Sequence, residues 1–212
     1  MAFDNGTIVS TGTLPLVGTE RVIRDSRAWW EAGDFGTREK TSTDYIVGHW
    51  TAGHPHTGVD TGFKVVSSMK ARKRKDGSKL EVGIHFVIGA DGRIFQTAPL
   101  QCATVHCNRP VTTRSIGVEC AWPGTTRNAE KLGLPPRAPT RRIVRGRFVH
   151  TYPAPQEMFD SWAWLVRALC GWYGLPLTRS DGVSRGVMEH FMVPRTSKKV
   201  DAAGLLLEEL GL

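Results

Sequence analysis

The sequence of 212 residues predicts one α/β domain with a central mixed β-sheet flanked by helices. Two short continuous apolar runs, DYIVGHW and SIGVECAW, read as strands buried on both faces. A longer stretch, APQEMFDSWAWLVRALCGWYGLP, repeats apolar residues at helical spacing through Phe159, Trp162, Val166, Leu169 and Trp172. Strand-like and helix-like segments alternate along the chain, and no internal repeat interrupts them.

Taken in order, residues 1–20 are small, polar and rich in Gly and Thr, and read as a loosely attached arm. RDSRAWWEAGDFG fits a short helix with Asp25 as N-cap and Trp29 and Trp30 as anchors, so residues 1–40 form an arm and short helix ahead of the domain at 41–212. DYIVGHW is the first buried strand. VDTGFKVVSSMKARK offers Phe63, Val66 and Met69 at helical spacing behind Asp60 as a possible cap, although Gly62 and two valines count against a helix. In VGIHFVIGADGRIFQTAP, two β-rich runs flank Asp91-Gly92, which is turn chemistry and predicts a hairpin. SIGVECAW is a further buried strand. Residues 123–153, rich in Pro, Gly and Arg, read as a long excursion loop with a short hairpin near RRIVRGRFVH. The long helix ends at Gly174 and Pro176, and AAGLLLEELG closes the chain as a short helix.

Composition narrows the function. Apolar residues make up 40% and Gly adds 23, which excludes a disordered chain. The 28 Lys and Arg against 20 Asp and Glu give +8, favouring an anionic partner. The basic run at Lys70 to Lys79 reads as a solvated loop or as a patch for an anionic wall. No aromatic platform interleaves it, so no nucleic-acid partner is expected. Four cysteines form no C-x-x-C pair, so neither a redox motif nor a zinc ribbon is suggested; Cys102 and Cys107 are close enough in sequence for a disulfide. No apolar window approaches about 18 residues, so no membrane span is expected. The N-terminus has no basic start or uninterrupted apolar stretch, so no signal peptide is expected.

The chemistry centres on YIVGHWTAGHPH, where an apolar strand ends on His49. Strand ends at one sheet edge are where sites are commonly built. His190 lies in EHFMVPRTSKKVDAAG with Asp201 eleven residues later and Lys199 two residues before Asp201. Glu119 sits in the otherwise apolar SIGVECAW. Two imidazoles and a carboxylate, with a fourth position left for water, are a known catalytic zinc set. With seven histidines in the chain, composition alone leaves this open. His54, His56 and His150 fall in no motif and read as structural.

In order along the chain, IVGHWTAG, VGIHFVIGADGRIFQ, VHC followed by SIGVE, APQ before a long helix, and H…KVD…G resemble the zinc-dependent N-acetylmuramoyl-L-alanine amidases, which share the peptidoglycan recognition protein fold. The resemblance covers residues 43 to 210. It implies one Zn2+ per chain held by His49, His190 and Asp201, with Glu119 as the acid/base carboxylate and Lys199 stabilising charge at the attacked carbonyl. It implies His106 near the substrate, and His85 on the substrate side or as structural support. Three departures stand out. Ile84 occupies the position where many relatives have Tyr, so Glu119 carries more of the load. DAAG, from Asp201 to Gly204, replaces DPG. The longer gap after His190 keeps Lys198 as an alternative to Lys199.

The implied reaction is hydrolysis, by zinc-activated water, of the amide between N-acetylmuramic acid and the L-alanine of the stem peptide. The implied partner is bacterial peptidoglycan. A monomer acting as a phage endolysin, made in the host cytoplasm and reaching the wall at lysis, is the expected setting. The alternatives are a non-catalytic peptidoglycan-binding module of the same fold and a cytoplasmic amidase recycling soluble muropeptides.

Overall fold

The computed structural model describes residues 2–4, 7–9, 22–24, 26–30, 43–73, 75–78, 80, 82–194 and 201–212. Strands β1 (Ala2–Asp4) and β2 (Thr7–Val9) pair antiparallel with each other, and β3 is Val22–Arg24. Then follow β4 (Tyr45–Trp50), α1 (Thr61–Lys70), β5 (Phe86–Ile88), β6 (Ile94–Gln96), α2 (Arg109–Thr112) and β7 (Ser115–Cys120). The rest comprises α3 (Thr126–Lys131), β8 (Thr140–Val144), β9 (Arg147–Thr151), α4 (Gln156–Tyr173), β10 (Gly186–Glu189) and α5 (Leu205–Glu209).

Six strands form the central sheet in the order β10-β4-β7-β5-β6-β3. Its first four strands are parallel, β5 and β6 form the antiparallel hairpin predicted around Asp91-Gly92, and β3 pairs parallel with β6. The sheet is therefore mixed, as expected. Residues 22–24, in the stretch read as an arm and short helix, form β3 and pair with β6 at the sheet edge. The helix expected at RDSRAWW is a single 3-10 turn, Ser26–Ala28, and its expected cap Asp25 lies outside the described residues.

The continuous apolar runs follow from burial on both faces. In β4, Ile46 and Trp50 join the main core under α4, whereas Tyr45 and Val47 join a second cluster with Val111 and Met188. In β7, Ile116, Val118 and Cys120 take the α4 side. Alternation by two then sends His49 and Glu119 to the opposite face.

Helix α4 buries Met158, Trp162, Leu165, Val166 and Leu169, each contributing roughly 1.5–3 kcal/mol by leaving water. Phe159 and Trp172, which the periodicity counted, lie at the margin of that stripe and are only partly buried. Helix α1 forms despite Gly62, and the packing explains the residue: a Cβ there would stand 2.8 Å from the ring of buried Phe95. Residues 123–153 contain the expected hairpin, β8 with β9, and also α3, which the loop reading missed. Its signal was present in Thr125, whose Oγ accepts the Asn128 backbone N–H at 3.2 Å as an N-cap. None of the four cysteines is in a disulfide. Among the described residues, no helix is long and apolar enough to cross a membrane.

Gly48 sits where β4 meets α4 and α5. A Cβ there would lie 2.7 Å from Leu206 Cδ1 and 2.8 Å from Trp162 Cη2. Gly48→Ala should therefore destabilise the fold by roughly 1–3 kcal/mol through overpacking, read by thermal or denaturant unfolding. An unchanged midpoint would show that α5 is not seated as closely as described.

Candidate metal centre at the carboxyl edge of the sheet

Three strands deliver side chains to one place. β4 ends at His49 and Trp50, β7 ends at Glu119 and Cys120, and β10 ends at Glu189 before the 3-10 turn His190–Met192. Pairing sets His49 beside Glu119 and Gly48 beside Glu189. Register alone thus brings an imidazole and a carboxylate together at the carboxyl ends of parallel strands, the usual location of sites in such sheets.

His49 Nδ1 lies 3.0 Å from His190 Nδ1, and Asp201 Oδ2 lies 3.1 Å from His190 Nδ1 and 3.5 Å from His49 Nδ1. Among the described residues, these three form the one cluster of His, Cys, Asp and Glu side chains arranged to hold a metal. A tetrahedral cation with bonds of about 2.0–2.1 Å separates its ligand atoms by about 3.3–3.4 Å, so the triangle fits zinc dimensions. Both histidines are buried. Burial raises the Asp201 carboxyl, but the His190 and His49 rings beside it outweigh burial and hold the group at about 2, ionised as a ligand must be. The local field favours a cation as well. Burial first, then the charges of Glu119, Asp201 and Glu189, push the Cys120 thiol well above its ordinary value.

The residue after each histidine secures Asp201. The Trp50 backbone N–H donates to Asp201 Oδ1 at 2.6 Å, and the Phe191 backbone N–H donates to the Asp201 carbonyl at 2.5 Å. One carboxylate oxygen is thus occupied by the main chain, leaving Oδ2 to face the imidazoles.

A chain of hydrogen bonds also sets the His49 tautomer. Ser115 Oγ donates to the Val111 carbonyl at 2.7 Å and accepts from His106 Nε2–H at 3.1 Å. His106 Nδ1 then accepts from His49 Nε2–H at 3.1 Å, and the lone pair on His49 Nδ1 faces His190 and Asp201. The protonation states follow from this network. His106 was expected beside substrate. It does line the groove, but its ring also braces His49, a contact that no sequence motif discloses.

His85 departs from the expectation of a substrate-side residue. It is 0% exposed and does not line the groove. Its Nε2–H donates to the Cys102 carbonyl at 2.9 Å, and Nδ1 accepts from the Gly117 N–H and the Thr104 hydroxyl, both at 3.0 Å. The ring ties β5 to β7 as a structural support. Lys199 and Lys198 lie outside the described residues. Glu119, 8% exposed, opens onto the groove with His49, His190 and Asp201. The groove has a volume of about 550 Å³ and runs from these residues towards Met69, Arg72 and Val82, a size typical of ligand sites.

The N-acetylmuramoyl-L-alanine amidase family model matches residues 39–203. No curated protein sequence matches significantly. Among solved structures, the Ph2119 endolysin from Thermus scotoductus MAT2119 bacteriophage Ph2119 is similar with a TM-score of 0.52 at 19% identity, over 91% of this chain and 100% of that one. A selenomethionine derivative of AmpD has a TM-score of 0.51 at 12% identity, over 100% of this chain and 98% of that one. PGRP-SA from Apis mellifera has a TM-score of 0.50 at 14% identity, over 86% of this chain and 94% of that one. At these identities the structural likeness speaks to the fold. With the family match spanning most of the sequence, the chain belongs to the N-acetylmuramoyl-L-alanine amidase family.

Proposed function

We propose that the chain hydrolyses the amide between N-acetylmuramic acid and the L-alanine of the stem peptide with one zinc ion held by His49, His190 and Asp201. The observation that carries this reading is the meeting of those three ligand atoms, at separations of 3.0–3.5 Å, on the wall of an open groove that Glu119 also lines. When bound, the cation supplies Lewis-acid polarisation of the amide carbonyl and lowers the pKa of a water to about 7. His106 keeps the His49 ring turned with Nδ1 towards the centre. Glu119 takes a proton from the attacking water and returns it to the leaving nitrogen, which departs as the free amine of L-alanine. Lys199 is assigned to the negative charge that develops on the carbonyl oxygen.

A binding module of this fold without activity would be expected to lack a ligand, and all three are present in the chain. The likeness to a bacteriophage endolysin supports a lytic setting, with the protein made in the host cytoplasm and acting on the wall after release.

Incubation with purified sacculi should release new L-alanine amino groups without new reducing sugar ends. A chelator should abolish the release and added Zn2+ should restore it. New reducing ends in place of amino groups would mark a glycosidase and overturn the assignment. Glu119→Ala should retain zinc by metal analysis and lose about 10²–10⁴ in rate, whereas His49→Ala should lose both. A fully active Glu119→Ala enzyme would remove that residue from the mechanism. His106→Ala should weaken zinc binding by about 10–100-fold in chelator competition, as loss of a partner to a ligand histidine does. Unchanged affinity would show that the contact does not orient His49.

A further inference from the structure

Glu189 is a fully buried carboxylate that the mechanism above does not use. It lies in β10 beside Gly48 and, by alternation with Met188, faces α4 and α5 rather than the metal ligands. Buried glutamates are rare without a partner. Here the partners are main-chain N–H groups, all from one short stretch. Glu189 Oε1 accepts from Leu206 at 2.8 Å and Leu207 at 3.0 Å, and Oε2 accepts from Gly204. No cation pairs with it among the described residues.

These are the N–H groups that the start of α5 leaves without intrahelical acceptors. A helix ordinarily meets that need with a Ser, Thr, Asp or Asn at its own N-cap. The N-cap of α5 is Gly204, which has no side chain to offer. Glu189 supplies the acceptor from a distant strand. Asp201 stands three residues before that cap, and the same turn of α5 is closed on its other side by Trp162 Nε1–H, which donates to the Leu206 carbonyl at 2.8 Å. The next residue after Glu189 is His190. The dipeptide Glu189-His190, where β10 ends and the 3-10 turn begins, therefore provides a metal-facing imidazole and grips the segment that delivers the metal-facing carboxylate. Each side of the sheet does one of these tasks.

We propose that Glu189 is a positioning residue for the metal centre, capping α5 from β10 so that Asp201 is held opposite His190 and the affinity for the cation is set. This rests on the reading that His49, His190 and Asp201 bind a divalent ion. Glu189→Gln keeps the shape of the side chain but turns one acceptor into a donor against the N–H groups it must receive. Zinc affinity measured by chelator competition should fall by about 10–100-fold, and the visible absorption of the Co2+-loaded protein should change because the carboxylate ligand shifts. The metal-free variant should keep its far-ultraviolet circular dichroism. Equal zinc affinity and an unchanged Co2+ spectrum would overturn the role while leaving the metal centre intact. A wild-type protein that binds neither ion would instead sink the metal reading itself. If Glu189→Gln does not fold, hydrogen exchange on the wild type decides the matter. Zn2+ should slow exchange at Gly204, Leu206 and Leu207 but not in the β8–β9 hairpin, and no selective slowing counts against the proposal.

Discussion

Parallel pairing of β10, β4 and β7 in one register is the constraint from which the site follows. Setting His49 level with Glu119, and Gly48 level with Glu189, brings three strand ends to the same height at the carboxyl edge. A slip of one residue in β4 would turn His49 towards Trp162 and put Gly48 at the centre, because side chains alternate faces. The two-sided core resists such a slip. Ile46 and Trp50 are committed to the α4 side, and Tyr45 and Val47 to the other, so any shift exchanges well-packed neighbours on both faces at once.

The sheet supplies only the histidines and Glu119. Asp201 comes from the connection into α5, and its position depends on main-chain donors rather than on a strand. Trp50 N–H and Phe191 N–H bind it directly, and Glu189 holds the helix that follows. The centre is thus assembled from strand register on one side and helix capping on the other. Both are local hydrogen-bonding problems in which a backbone group must be satisfied, and their solutions happen to aim three ligand atoms inward.

Electrostatics divides in a similar way. The chain as a whole carries +8, which suits approach to an anionic wall and acts over about one Debye length, roughly 8–10 Å in physiological salt. Around the centre the carboxylates cluster: after burial, the charges of Glu119, Asp201 and Glu189 push the Cys120 thiol up. A positive surface suits an acidic polymer, and the carboxylates at the centre suit a cation. The two do not conflict because the buried charges interact over a few ångströms in a medium that screens them little.

What the sequence determined by itself was set by short-range pattern. Apolar runs, helical period and turn residues marked β4, β7, the β5–β6 hairpin and α4, and the ordered motifs named His49, Glu119, His190 and Asp201. The tertiary structure decided what depends on contacts between distant segments. That His85 braces β5 against β7, that His106 faces His49, that Gly62 makes room for Phe95 and that β3 closes the sheet edge could not be read from spacing, because none of these partners is a near neighbour in sequence. Glu189 shows the division most plainly. In sequence it is one acidic residue before a histidine; only folding brings the N–H groups of α5 to it, and a hydrogen bond between residues fifteen or more apart leaves no periodic trace along the chain.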